Sequence, residues 1–209
     1  MNIYYFNITV LRNRNVFGEV VKTLDDARAE KISRLRVTAD KLRSAGAGIL
    51  INFIKEKYNI AGDVKVDKFG KPYFEDTDIH FNISHSGCYV IAEDIGIDIQ
   101  KIKSDKHRIA EKNFLPSECA YINEIEDEKI NQQRFCEIWT IKEAYLKNIG
   151  IGLRKPLNSF EIDFSEDAPQ IVGKKEYKFV QLKFDEKYIV TVCADQSDEI
   201  FDVEEVLVV

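Results

Sequence analysis

The sequence predicts an α+β fold, on two observations. Helical periodicity followed by short β-like segments occurs in the first half of the chain and again in the second. That order favours segregated helices and strands over a parallel α/β sheet. No stretch rich in Pro, Gly or Ser divides the halves, so any two lobes are expected to share one compact body. With 209 residues, 44% of them hydrophobic, the chain can remove about 70% of its unfolded surface from water.

Residues 2–11 alternate and are rich in aromatic and β-branched side chains, which predicts a strand. Residues 24–35 read as a charged amphipathic helix. Residues 39–58 read as a longer one, buried through Leu42, Ala45, Ile49, Ile51, Phe53 and Ile54. Gly46 and Gly48 inside it mark the close approach of another backbone. Short strands follow at 64–66, 73–74, 80–83, 88–93 and 95–102. Turns separate them at Phe69-Gly70-Lys71-Pro72 and Ser86-Gly87, with a tight connection at Glu93-Asp94. Helices return over 106–113, 118–125 and 132–149, with a break at Pro116. Strands close the chain at 160–164, 176–184, 188–194 and 203–208.

The formal net charge of -6 is uneven: residues 1–105 carry 16 Lys+Arg against 15 Asp+Glu, and the remainder 14 against 21. An acidic chain is a poor general binder of nucleic acid, so local basic clusters are left to serve something smaller, such as ligand phosphates. No run approaches the ~18 apolar residues of a membrane span. The opening Met-Asn-Ile-Tyr-Tyr-Phe lacks the regions of a signal peptide. A cytoplasmic location without nucleic-acid or membrane partners is expected. Cys88, Cys119, Cys136 and Cys193 form no Cys-x-x-Cys pair and have no neighbouring histidine for a zinc motif, so free thiols are expected.

Four segments could carry chemistry. In Ile95-Gly-Ile-Asp-Ile-Gln100, strand alternation puts the isoleucines on one side and Asp98 and Gln100 on the other, about 7 Å apart. A solvent-facing Asp98 is the simpler reading of that segment alone. In the helix of residues 132–149, Phe135, Ile138, Trp139, Tyr145, Leu146 and Ile149 share one arc, with Lys142 in its middle and Glu143 at its edge. Glu143 and Lys147 could form an ordinary i,i+4 surface pair. A lysine inside an apolar stripe instead demands an anion, because an unpaired buried ammonium is costly. In Phe81-Asn-Ile-Ser-His-Ser-Gly87, alternation turns Phe81 and Ile83 inward and brings Ser84, His85 and Ser86 to a strand end. The basic stretch of Arg28, Lys31, Arg34, Arg36, Lys41 and Arg43 reads as a solvated helix face or a phosphate site.

Taken together, Gly70-Lys71-Pro72, Phe81-Asn-Ile-Ser-His-Ser-Gly87, Gly96-Ile-Asp98-Ile and Trp139-Thr-Ile-Lys-Glu-Ala-Tyr-Leu-Lys147 resemble the motifs of the 4'-phosphopantetheinyl transferases that activate peptide and polyketide synthetases. The resemblance implies two pseudo-symmetric lobes, residues 1–104 and 105–209, each a small, mainly antiparallel sheet packed on helices, with a ligand cleft between them. It implies transfer of the 4'-phosphopantetheine arm of coenzyme A to a serine of an acyl, peptidyl or aryl carrier protein, with release of 3',5'-ADP. It also implies Mg²⁺ held by Asp98 and Glu143, which suits an ion that favours one or two carboxylates plus phosphates and water. Lys147 and Lys142 would then meet the diphosphate. Arg28, Lys31, Arg43, Ser84 and His85 would surround the phosphates, with Lys71 and Pro72 by the adenine. Glu118, in Asn113-Phe-Leu-Pro-Ser-Glu118, is the candidate base for the serine, and helix capping is its alternative role.

One departure stands out. Many members have a second acid where this chain has Gln100, whose amide oxygen could still ligate the metal with one negative charge fewer. Carrier docking is expected to use apolar contacts near Phe114-Leu115, and a monomer is expected to suffice. The rival readings are another coenzyme A-dependent transferase and an inactive coenzyme A-binding protein of the same fold.

Overall fold

A computed structural model describes residues 2–68, 71–75, 77, 81–93, 96–103, 107–166, 168–195 and 202–208. In chain order it contains β1 (Ile3–Asn7), α1 (Arg14–Thr23), α2 (Asp26–Arg34), α3 (Thr38–Lys57), β2 (Val64–Val66) and β3 (Pro72–Phe74). Next come β4 (Asn82–Ser86), β5 (Tyr89–Glu93), β6 (Gly96–Lys101), α4 (His107–Asn113), α5 (Pro116–Asn123) and α6 (Glu128–Asn148). The chain continues with β7 (Ile162–Asp163), β8 (Gln170–Ile171), β9 (Tyr177–Gln181), β10 (Tyr188–Asp195) and β11 (Val203–Glu205). The fold is α+β, as the twice-repeated order of helices and strands predicts. Gly70, Asp94 and the expected element starts at His80, Ile95 and Lys106 lie outside the described residues.

The chain clusters into two units, one of residues 1–66, 72–94 and 200–209, the other of 67–71 and 95–199. The sequence expectation put the boundary at 104/105. In the first unit a sheet runs β11-β1-β5-β4, with β1 parallel to β11 and antiparallel to β5, and β2 pairs with β3. The strand expected over residues 2–11 ends at Asn7. There the Asn7 side chain accepts from Thr9 N at 3.0 Å and starts a 3-10 turn, Ile8–Arg12, that buries Ile8 and Leu11. Helix α1 was not anticipated. Asn13 caps it, accepting from the backbone of Asn15 and Val16, and Asp25 caps α2 through Arg28 N. Gly46 is pressed by side chains rather than by the expected backbone: an added Cβ would lie 2.8 Å from Ile8 Cγ2. In β4 the buried residues are Asn82, Ser84 and Ser86, whereas Ile83, expected inward, is half-buried.

The second unit has an antiparallel sheet in the order β6-β10-β9, with α6 packed on β6 and β10. Asp127 caps α6 by accepting from Lys129 N and Ile130 N. Phe135, Ile138, Ile141, Leu146, Leu157, Phe179 and Cys193 are among the buried residues of its core. Phe114 belongs there too, its ring 5.3 Å from that of Phe135, so half of the expected apolar docking patch is interior. The four cysteines, all described, form no disulfide. Burial pushes the Cys193 thiol up to about 12. No helix among the described residues is long and apolar enough to cross a membrane.

Candidate active site

The site grows from one close contact in the second unit. A Cβ placed on Gly96 would lie 2.1 Å from the carbonyl oxygen of Ala144, so only glycine lets β6 approach α6 this closely. Alternation then fixes the rest. Gly96, Asp98 and Gln100 share a face of β6, and Asp98 lies beside Thr191 of β10. Thr191 and Thr140 of α6 are fully buried and share a hydroxyl hydrogen bond of 2.7 Å, which seams the sheet to the helix beside Asp98.

Asp98 is therefore interior, 5% exposed, and not the solvent-facing residue its strand alone would suggest. Lys147, in the last turn of α6, donates to Asp98 Oδ1 at 2.6 Å and to the carbonyl oxygen of Ile97 at 3.0 Å. It reaches across to the strand instead of back along its own helix. Glu143, one turn earlier, has its pKa pushed up to about 7, first by burial and then by the charge of Asp98, with Lys147 opposing. Two carboxylates that feel each other's charge, one of them held by the Lys147 ammonium, form an oxygen-rich site. Gln100 lies on the same strand face, half-buried, its Nε2 donating to the Lys101 carbonyl at 3.1 Å.

Oxygen donors of this kind suit a hard divalent cation, which takes one or two carboxylates and completes its shell with water and ligand oxygens. The ammonium already held by Asp98 and the Ile97 carbonyl shows that the place accepts positive charge. Asp98 and Glu143 thus fit a magnesium ion, with the Gln100 amide on the same face. Among the described residues no group of three or more His, Cys, Asp or Glu side chains is gathered for a metal. The protein therefore offers a partial set of donors.

Two expected roles are corrected by burial. Lys142 is fully buried, and its ammonium donates to Glu118 Oε1 at 2.7 Å, Leu157 O at 2.8 Å and Phe160 O at 2.6 Å. All three donors are used, so none remains for a diphosphate. The anion that a lysine in an apolar stripe demands is Glu118. That carboxylate is 1% exposed and also accepts from Leu115 N and Ile162 N, both at 2.9 Å. Glu118 caps α5 and ties α5, α6 and β7 together; with its oxygens so occupied, it is not placed to receive a proton from a serine. Sequence reasoning missed this pair. Its two signals, a lysine in an apolar arc and a glutamate just after a helix-starting proline, were visible only separately.

Lys71 lies in the second unit, its ammonium 3.4 Å from the carbonyl oxygen of Lys147, and burial lowers its pKa. The other basic candidates and Pro72 belong to the first unit. Arg28 is half-buried with a pKa lowered by burial, Lys31 is exposed, and Arg43 pairs with Asp40. Pro72 begins β3, Ser84 is buried in β4, and His85 beside it is exposed.

Residues 94–193, which span β6 to β10 and every side chain of this site, match the model of the 4'-phosphopantetheinyl transferase superfamily. The 4'-phosphopantetheinyl transferase gsp of Aneurinibacillus migulanus is 34% identical over 78% of this chain and 73% of its own. This chain belongs to the 4'-phosphopantetheinyl transferase family. Another relative, the 4'-phosphopantetheinyl transferase ffp of Bacillus subtilis, is 32% identical over 82% of each chain. The human L-aminoadipate-semialdehyde dehydrogenase-phosphopantetheinyl transferase is 28% identical over 91% of this chain and 73% of its own. As a family member the protein is an enzyme of the transferase class, and its α+β fold is consistent with that membership.

Proposed function

We propose that the protein transfers the 4'-phosphopantetheine arm of coenzyme A to a serine of an apo carrier protein, releasing 3',5'-ADP in a magnesium-dependent reaction. The observation that carries this reading is the convergence of Asp98 and Lys147, joined at 2.6 Å, with Glu143 in a family member. Asp98 and Glu143 would hold the metal, whose chemistry is to neutralise charge on the diphosphate and on the departing phosphate. Lys147 would donate to a diphosphate oxygen and stabilise the charge that builds as the bond to the leaving group breaks. The serine oxygen forms a bond to the pantetheine-bearing phosphorus and gives its proton to solvent water, while the bridging oxygen leaves with 3',5'-ADP. Positioning and charge neutralisation supply most of the acceleration in such a transfer. Glu118 and Lys142 support this site from beneath, and neither touches the reacting atoms.

We further propose Arg28, Lys31, Arg43, Ser84 and His85 as binders of coenzyme A phosphates, and Lys71 and Pro72 as residues by its adenine. A monomer in the cytoplasm is the state we propose. The test is to incubate the purified protein with coenzyme A, Mg²⁺ and a panel of apo-carriers, weigh each carrier and assay 3',5'-ADP. One carrier should gain the phosphopantetheine mass in step with 3',5'-ADP, and Glu143→Ala should lower turnover at least about a hundredfold. Undiminished turnover by that variant would overturn the site assignment. A product other than 3',5'-ADP would point to a different coenzyme A-dependent transfer.

A further inference from the structure

We infer that Lys147 is an internal counter-ion that guards the metal site: its ammonium holds Asp98, and it gives up that carboxylate when coenzyme A brings a diphosphate. The inference rests on the proposed reading of Asp98 and Glu143 as metal ligands, and adds how the site is kept before ligands arrive.

The geometry gives the reason. Lys147 Nζ is 2.6 Å from Asp98 Oδ1 and 3.0 Å from the Ile97 carbonyl oxygen, a carboxylate and a carbonyl turned to one cation. Hard divalent ions seek the same two donor types. A metal ion on Asp98 with the ammonium still beside it would put two cations within a few Å, an arrangement Coulomb repulsion opposes. A single positive charge therefore competes with the metal for the same oxygens.

The pair is also built to open. The Lys147 side chain is 20% exposed and that of Asp98 8% exposed. The exposed side of the pair is the lysine, whose flexible stem can redirect its ammonium toward water or a ligand without moving the helix. A diphosphate offers more negative charge than one carboxylate and can draw the ammonium away, so that it no longer competes with the metal for Asp98 Oδ1. By linkage, a ligand that moves Lys147 raises metal affinity, and metal raises affinity for that ligand by the same factor. An unguarded pair of acids would attract metal without its substrate. The guarded pair delays full metal binding until coenzyme A is present.

The test measures Mn²⁺ as a probe ion, by calorimetry or by the electron paramagnetic resonance signal of the free ion, on folded protein without coenzyme A. Lys147→Met and Lys147→Gln are each expected to bind Mn²⁺ at least about tenfold more tightly than the parent, the scale of repulsion between a unit charge and a nearby divalent ion. Lys147→Arg, which keeps the charge, is expected to match the parent. The increase in Mn²⁺ affinity on adding coenzyme A should shrink in Lys147→Met. If both neutral variants bind Mn²⁺ no more tightly than the parent while Asp98→Asn binds it more weakly, the guard is refuted and the metal site stands. If Asp98→Asn retains the parent's affinity with and without coenzyme A, Asp98 is not a ligand and both readings fall.

Discussion

Lys142 and Lys147 stand five positions apart on α6, and each ends on a carboxylate, yet the two pairs have opposite characters. Lys142 and Glu118 are 0% and 1% exposed, and every ammonium hydrogen has a partner within the unit. The Lys147 side chain is 20% exposed against an interior Asp98, and its ammonium meets one carboxylate and one carbonyl. A buried pair whose hydrogen bonds are satisfied is static, because removing either member strands a charge away from water. A partly exposed pair loses little on opening, because water and ions can replace either partner. One helix thus supplies a structural pin and a functional cation, and burial decides which is which.

The sharpest way to break this comparison is to remove the pin. Lys142→Met or Glu118→Gln should destabilise the protein by about 3–5 kcal/mol in urea unfolding, the cost of leaving one buried charge unpaired. Lys147→Met should cost less than either, because the Lys147 side chain is 20% exposed and water has a route to the carboxylate it leaves. Replacing Lys142 and Glu118 together with Met and Leu should recover much of the loss, since an apolar pair strands no charge. Equal losses for the two lysines would erase the distinction.

A smaller effect is expected from Gly96→Ala, which acts on the second pair alone. The new methyl would press on the Ala144 carbonyl, and overpacking of this kind costs about 1–3 kcal/mol. It should also separate Asp98 from Lys147, so turnover should fall with the stability. Parent-like stability and turnover together would show that the close approach of β6 to α6 is not required.

A dependence on pH is also expected in metal-free protein. The Glu143 pKa is raised from 4.5 to about 7, chiefly by burial. A carboxyl that resists ionisation in the fold contributes most stability below about 4.5, and that contribution is lost as pH rises through about 7. Unfolding midpoints measured from pH 4.5 to 8 should fall in the parent and flatten in Glu143→Gln. The same slope in both proteins would place the titration elsewhere.

Much of this was legible in the residues themselves. Alternation around Asp98 and helical periodicity around Lys142 are local properties, and the elements that carry them stand close to their expected bounds. The motif run from Gly96 to Lys147 resembled the family to which the chain belongs. The strand of residues 2–11 was half wrong, because the Asn7 side chain starts a turn where β-branched residues read as strand. β8 was missed because two residues carry no period, and β11 joins β1 through a parallel pairing with the opposite end of the chain.

The sequence by itself determined the twice-repeated order of helices and strands, the shared strand face of Asp98 and Gln100 and the place of Lys142 in an apolar arc, because these follow from periodicity within short segments. Only the tertiary structure decided that the stripe lysine answers to Glu118 while Lys147, five positions on, answers to Asp98. Those partners lie on other elements, and the number of water-exposed atoms around each ammonium exists only once the chain has folded.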